Sequence, residues 1–357
     1  MRAMSRLAAW SCAAMISVAS FGSYAADYPD PVEGDYVLKD FNFHTGDKFD
    51  ELNMHYYTVG DPANPPVLVL HGTTGSGKSM LSEGFAGALY GPGQALDASK
   101  YYLILPDSIG TGGSSKPSDG LRAGFPSYNY DDMVDAYHRL VTEGLGIDHV
   151  RLIIGNSMGG MHVWAFAVRY PEFADALVPM ASLPTAMGGR NWMMRRMLVD
   201  SVLTDPAWNN GNYEEQPPNL RIASAWFGIA TSGGEQRLYA LGPNGAEASA
   251  YVDERLANQK VGDANDVMYQ WNASRDFDPS ADLEKIKAHV LVINSADDER
   301  NPEVLGVLQA AMPRIENGDV YLIPASPETS GHGTTGSQAA LYNDQLADFL
   351  AKVPGGQ

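Results

Sequence analysis

Val150-Arg151-Leu152-Ile153-Ile154-Gly155-Asn156-Ser157-Met158-Gly159-Gly160-Met161 decides how the rest of the chain is read. The aliphatic run Val150–Ile154 has the composition of a buried strand. Helical spacing follows over Met158–Tyr170, and Pro171 stops it because proline cannot continue the helix. Between the two lies Gly155-Asn156-Ser157-Met158-Gly159, a match to G-x-S-x-G. Small residues at 155, 159 and 160 suit a crowded strand-to-helix turn. Such a turn lifts the Ser157 hydroxyl clear of a sheet, beside helix N–H groups that can hold an oxyanion. A bland glycine-rich turn would satisfy the same five letters, so the companions of Ser157 carry the weight.

Outward from this turn, short aliphatic runs alternate with helical patterns, which predicts an α/β fold with a mostly parallel sheet flanked by helices. Asp35–Phe43 and Met54–Val59 read as an opening pair of strands. Val67–Leu70, Tyr102–Leu105, Ala176–Met180, Val290–Asn294 and Asp319–Ile323 read as the others. Further helices are expected at Asp131–Gly144, Pro302–Met312 and Ser337–Lys352. The interval Leu183–Glu284 breaks the alternation, being rich in Met, Trp, Asn and Gly without a buried-type strand. About 100 residues are too many for a loop. Residues 183–284 are therefore expected to form a mainly helical cap, inserted between the halves 26–182 and 285–357 of a catalytic core.

A serine hydroxyl is a poor nucleophile until a base takes its proton, and the base needs a carboxylate to orient it. The run Val290–Asn294 leads into Ser295-Ala296-Asp297-Asp298, an acid at a strand's end. Asp319–Ile323 is followed by Ser330-Gly331-His332-Gly333, a histidine on a flexible loop. Each follows a separate strand, which brings them to one edge of a parallel sheet. The order is Ser157, an acid, then His332.

With these residues the chain resembles an α/β-hydrolase, and within that superfamily it is similar to the homoserine O-acetyltransferase group. Besides the serine turn, the likeness rests on Leu70-His71-Gly72-Thr73-Thr74-Gly75-Ser76, Tyr90-Gly91-Pro92-Gly93-Gln94-Ala95-Leu96-Asp97, Tyr170-Pro171 and Gly331-His332. The resemblance implies nucleophile Ser157, base His332 and acid Asp298. Asp298 is preferred to Asp297 because it stands four residues before Pro302, the usual spacing of that loop in the superfamily. It also implies an oxyanion hole from the amides of Thr73 and Met158. The substrate would be a small acyl compound, passed through an acyl-enzyme. Water as acceptor makes the protein an esterase; an alcohol makes it an acyltransferase. The stretch after Gly113 is shorter than in the acetyltransferases and departs from their wording, which favours water. A non-catalytic binding protein on the same fold is a third reading.

Gly72–Ser79 also satisfies the phosphate-loop pattern G-x-x-x-x-G-K-[ST]. The hydrolase pattern already accounts for its glycines, leaving Lys78-Ser79 as coincidence, so no nucleotide is expected. No H-E-x-x-H or other ligand spacing occurs, and neither metal nor cofactor is implied. His71 reads as a loop brace and His162 as a packing residue. His44, His55, His138, His149 and His289 read as surface or structural. Trp192, Met193, Met194, Met197 and Leu198 are spaced as the packing face of a cap helix. Arg195 and Arg196 beside them are expected in solvent. Trp226, Phe227 and Trp271 are core or acyl-pocket residues.

The 357 residues carry 24 Lys+Arg against 43 Asp+Glu, a net charge of −19. That surface repels phosphate backbones and anionic membranes, which excludes a nucleic-acid role. Arg2 and Arg6, the apolar run Leu7–Phe21 and Ser23-Tyr24-Ala25 have the layout of a secretory signal cleaved after Ala25. The apolar run falls short of the roughly 20 residues that span a bilayer. Export to the periplasm or medium is expected, with no stable membrane insertion once residues 1–25 are removed. The single cysteine, Cys12, leaves with them.

Overall fold

Successive residues of the aliphatic runs point to opposite sides of one sheet, and both sides are covered. In the computed structural model, which describes residues 27–355, Leu68, Leu70, Ile104 and Ile153 join a cluster with Tyr137 and Trp164. Their neighbours Val67, Val69, Leu103, Leu105, Leu152 and Ile154 join a second cluster with Leu346 and Phe349. Double-sided burial is why these strands read as continuous apolar runs rather than alternating ones. Each such side chain contributes about 1.5–3 kcal/mol by leaving water.

Eight strands form the sheet: β1 Val32–Asn42, β2 Lys48–Val59, β3 Pro66–Leu70, β4 Tyr102–Pro106, β5 Val150–Asn156, β6 Ala174–Met180, β7 His289–Ser295 and β8 Gly318–Ile323. Their order is β1-β2-β4-β3-β5-β6-β7-β8. β1 and β2 pair antiparallel, as do β2 and β4; every pairing from β4 through β3 to β8 is parallel. The C-terminal ends of β3, β5, β7 and β8 thus share one edge. β3 and β5 are neighbours there, Leu70 opposite Gly155, although the chain leaves β3 for β4 on its other side. Ligand crevices form where strand order reverses in this way.

Two expected helices are interrupted. Over 302–312 the chain makes a turn Glu303–Leu305 and a short helix Val307–Ala311, parted by Gly306 in the left-handed region (φ 65°). At the C-terminus the helix is Asn343–Lys352. Before it the backbone bends at Tyr342 (φ −136°, ψ 4°), whose hydroxyl is anchored on Thr335 O at 2.6 Å. The helix expected over Asp131–Gly144 runs from Tyr130 to Arg139 and ends in a wider π turn, Leu140–Gly144.

Between β6 and β7 the chain is helical, with Gly189–Leu203, Asn219–Thr231, Glu235–Leu241, Gly245–Asn258 and Ala264–Asn272 as its α-helices. These have an apolar cluster of their own, Met194, Leu198, Val202, Leu220, Phe227, Val267 and Trp271 among its members. Ala273, Phe277 and Leu283 pack instead into the sheet's cluster, so the two cores part near residue 272. In helix Gly189–Leu203 two expectations are corrected. Met193 and Met197 are 67% and 58% exposed, while Arg195 is buried at 1%; only Arg196 of the arginine pair is in solvent. The buried stripe runs through 194, 195, 198, 199 and 202 because helices Asn219–Thr231 and Ala264–Asn272 cover that side.

Among the described residues no helix is long and apolar enough to cross a membrane. The expected secretory signal, residues 1–25, lies outside the described residues.

Candidate active site

Ser157 follows β5 directly and precedes helix Met158–Arg169 with φ 58° and ψ −109°. A non-glycine residue there costs roughly 1–3 kcal/mol, which the surrounding packing must override. The turn is held by close backbone approach. A Cβ on Gly159 would stand 2.2 Å from Leu70 O, and one on Gly155 would stand 2.3 Å from Gly159 O. Ser157 N–H donates to Met180 O at 2.9 Å, fixing the turn to β6.

The Ser157 hydroxyl donates to His332 Nε2 at 2.8 Å. His332 Nδ1–H donates to Asp298 Oδ2 and Oδ1 at 2.9 and 3.0 Å. Asp298 also accepts from Arg300 N–H (2.8 Å) and from Asn301 Nδ2 (2.9 Å), while the same Asn301 amide reaches Ala181 O at 2.8 Å. Three residues far apart in sequence, Ser157, Asp298 and His332, therefore form one continuous hydrogen-bonded chain.

Asp297 stands apart from that chain. Its carboxylate accepts from Ser295 Oγ (2.5 Å), Thr329 Oγ1 (2.7 Å) and Gly331 N–H (3.3 Å), tying the acid loop to the histidine loop. One aspartate faces the imidazole and the other braces the loop that carries it.

Burial first, and the neighbouring Arg300 cation next, push the pKa of His332 below its ordinary 6.5; Asp298 pulls it back only in part. Burial also opposes a charged Asp298. Its imidazole partner, the Asn301 amide and the Arg300 N–H together outweigh that and hold its carboxyl below the usual range. The pair rests as neutral base and ionised acid at neutral pH. Below its midpoint His332 holds a proton and cannot accept one from Ser157. The acid limb of a kcat/KM–pH profile is therefore expected below pH 6.5, the ordinary value, with a plateau above it. A limb centred clearly above 6.5 would contradict the burial argument.

The other expected site groups lie beside Ser157. A Cβ on Gly72 would meet Ser157 Cβ at 3.7 Å, so the Gly72–Thr73 peptide borders Ser157. Met158 opens the helix after it. Neither Thr73 N–H nor Met158 N–H has an acceptor among the described residues, as donors reserved for a reacting oxygen require. His71 braces this loop: its Nδ1–H donates to Gly72 O (2.8 Å), and its Nε2 accepts from Ser108 N–H (3.0 Å).

The phosphate-loop match has a different local role. Gly77, its second glycine, donates its N–H to Asp107 Oδ1 at 2.6 Å, and Gly113 N–H donates to Oδ2 at 2.8 Å. A carboxylate at the end of β4 thus occupies an amide that a phosphate would need, and Lys78 points to solvent.

A cavity of about 570 Å³ opens onto Ser157 and His332. Leu198, Phe227 and Trp271 bring the cap to its wall, whereas Trp226 is half exposed and elsewhere. The sequence reading missed Asn301 and Arg300, which sit between Asp298 and Pro302. Only their nearness to a strand-end acid could have singled them out.

Residues 65–326 match the family described as alpha/beta hydrolase fold. A probable acyltransferase of Methanothermobacter thermautotrophicus is 28% identical over 323 residues, covering 88% of this chain and 96% of that protein. A homoserine O-acetyltransferase of Haloferax volcanii is 30% identical over 390 residues, covering 91% of each. Among solved structures, the acetyl esterase MekB superposes with a TM-score of 0.78 at 23% identity, over 90% of this chain and 97% of that one. The sheet order, the strained serine turn and the family match agree: the chain belongs to the α/β-hydrolase fold family and is similar to its homoserine O-acetyltransferases.

Proposed function

We propose that this protein is an exported serine hydrolase that cleaves a carboxylic ester through an acyl-enzyme. The reading is carried by the unbroken Ser157–His332–Asp298 chain beneath an open cavity. His332 Nε2 takes the Ser157 proton as Oγ bonds to the acyl carbon. The carbonyl oxygen becomes an oxyanion, which the Thr73 and Met158 amides stabilise. The bond to the alcohol oxygen then breaks, and His332 returns the proton to that leaving oxygen. Water repeats the sequence: its proton goes to His332, its oxygen bonds to the acyl carbon, and Ser157 leaves with the proton. Asp298 keeps Nδ1 protonated throughout and stabilises the imidazolium.

Acyl transfer to an alcohol is the second reading, favoured by 30% identity to the Haloferax enzyme across 91% of both chains. The signal-like N-terminus weighs against it, because export separates the protein from acetyl-CoA. The purified protein is expected to hydrolyse 4-nitrophenyl acetate faster than it moves acetyl from acetyl-CoA to homoserine. The reverse ranking would replace the hydrolase by a transferase. A fluorophosphonate probe should label Ser157 in either case.

A further inference from the structure

Two guanidinium groups lie where the cap meets the acid loop, and neither has a carboxylate within ion-pair distance among the described residues. Arg195, buried, donates to neutral acceptors: Asn191 Oδ1 (2.8 Å), Ser274 Oγ (3.2 Å) and Tyr130 Oη (3.4 Å). Arg300, on the cavity wall, donates from Nε to Thr231 Oγ1 (3.0 Å) and from Nη2 to Ser232 Oγ (2.6 Å). Its Nη1 has no acceptor among the described residues. Arg300 Cζ lies 4.4 Å from the Phe227 ring centre and 5.7 Å from that of Trp271, while Arg195 Cζ lies 5.0 Å from Trp271.

Like charges sharing one indole repel, and burying Arg195 without an anion is costly. Asp298 is already committed to His332 and Asn301. The same cavity wall carries Arg255, whose Nε is buried without an acceptor among the described residues, and Lys260. Asp263 and Asp266 also line it but are held by Tyr213 and Gln216, and by Ser118. A chain of net charge −19 thus keeps Arg255, Lys260 and Arg300, none in an ion pair among the described residues, on the wall of the cavity that holds Ser157. Thr73 Oγ1 and Gln270 Oε1, also buried on this wall without partners among the described residues, mark the occupant as polar.

We propose that Arg300 is a specificity-determining residue that binds a carboxylate on the ester substrate, with Arg195 behind Trp271 reinforcing the positive field. The phenyl ring and two hydroxyls fix the guanidinium plane, so that Nη1 is pre-oriented for a charge-assisted hydrogen bond. This deepens the hydrolase reading and rests on it.

Two matched pairs test it by pH-stat: monoethyl glutarate against ethyl pentanoate, for a carboxylate on the acyl side, and 3-acetoxypropanoate against 3-acetoxypropanamide, for one on the alcohol side. In at least one pair the charged member should be favoured at least tenfold in kcat/KM. Arg300→Gln should lose about 10- to 100-fold more on that member than on its neutral mate, mainly through KM. Arg300→Lys should restore part of the difference. Preference for the neutral member in both pairs, or an equal loss on both members, overturns the proposal.

Glutarate should also inhibit wild-type hydrolysis of a neutral ester competitively, a readout that needs no variant to fold; absence of inhibition counts against the subsite. Fluorophosphonate labelling of Ser157 reports separately on the hydrolase reading. If that labelling fails, calorimetric binding of glutarate to the wild-type protein and its loss in Arg300→Gln still decide the anion site.

Discussion

Ser157→Ala is expected to lower kcat on a short-chain ester by roughly 10⁴- to 10⁶-fold. The hydroxyl is the atom aimed at His332 Nε2 at 2.8 Å, and no other hydroxyl is bonded to that nitrogen among the described residues. Residual catalysis would come from the Thr73 and Met158 amides acting on attack by water. Folding should survive, because alanine accepts the same backbone angles about as badly as serine and loses one hydrogen bond worth about 1 kcal/mol. Steady-state rates with a nitrophenyl ester and a melting curve check both halves. Retention of more than a few per cent of wild-type activity would remove Ser157 from its role.

Asp298→Asn should cost roughly 10⁴-fold in kcat with little loss of stability. An amide facing His332 can donate to Nδ1, which favours the tautomer with its hydrogen on Nε2. That nitrogen then cannot receive the Ser157 proton. Asp297→Asn, one residue away, should behave in the opposite manner. It weakens the contacts to Ser295, Thr329 and Gly331 that hold the histidine loop. A loss of about 1–2 kcal/mol of stability is expected, with a modest fall in rate. Measuring kcat and melting temperature on both variants separates a residue that orients the base from one that braces its loop. Inactivation by Asp297→Asn with activity kept in Asp298→Asn would reverse the assignment.

The difference between these neighbours marks how far the sequence could be read. Asp297 and Asp298 are both acids just beyond β7, and chain spacing alone offers only a preference. The choice depends on which side chain the turn after Ser295 directs inward, and that turn is set by the Asn301 amide bridging Asp298 and Ala181. Asp107 makes the same point. Its role as the anion held by Gly77 and Gly113 arises from a contact between separate loops.

The cap shows the limit in another form. Its helical character follows from local composition, since no run of buried β-branched residues occurs there. Its buried face did not follow, because methionine and arginine can lie on either side of a helix. Met193 and Met197 ended in solvent and Arg195 inside, once Trp271 offered that guanidinium an aromatic surface.

By itself the sequence determined the alternation of buried strands and helices, the strained Gly-x-Ser-x-Gly turn, and the chain order of serine, acid and histidine. Those are local properties, fixed by side-chain volume, glycine's lack of a Cβ and the period of hydrophobic residues. Only the tertiary structure decided which aspartate meets His332, which cap residues line the cavity, and that Arg300 stands there without an anion. Such facts depend on distances between segments far apart in the chain, and the cost or gain of a buried charge is defined only once its neighbours are in place.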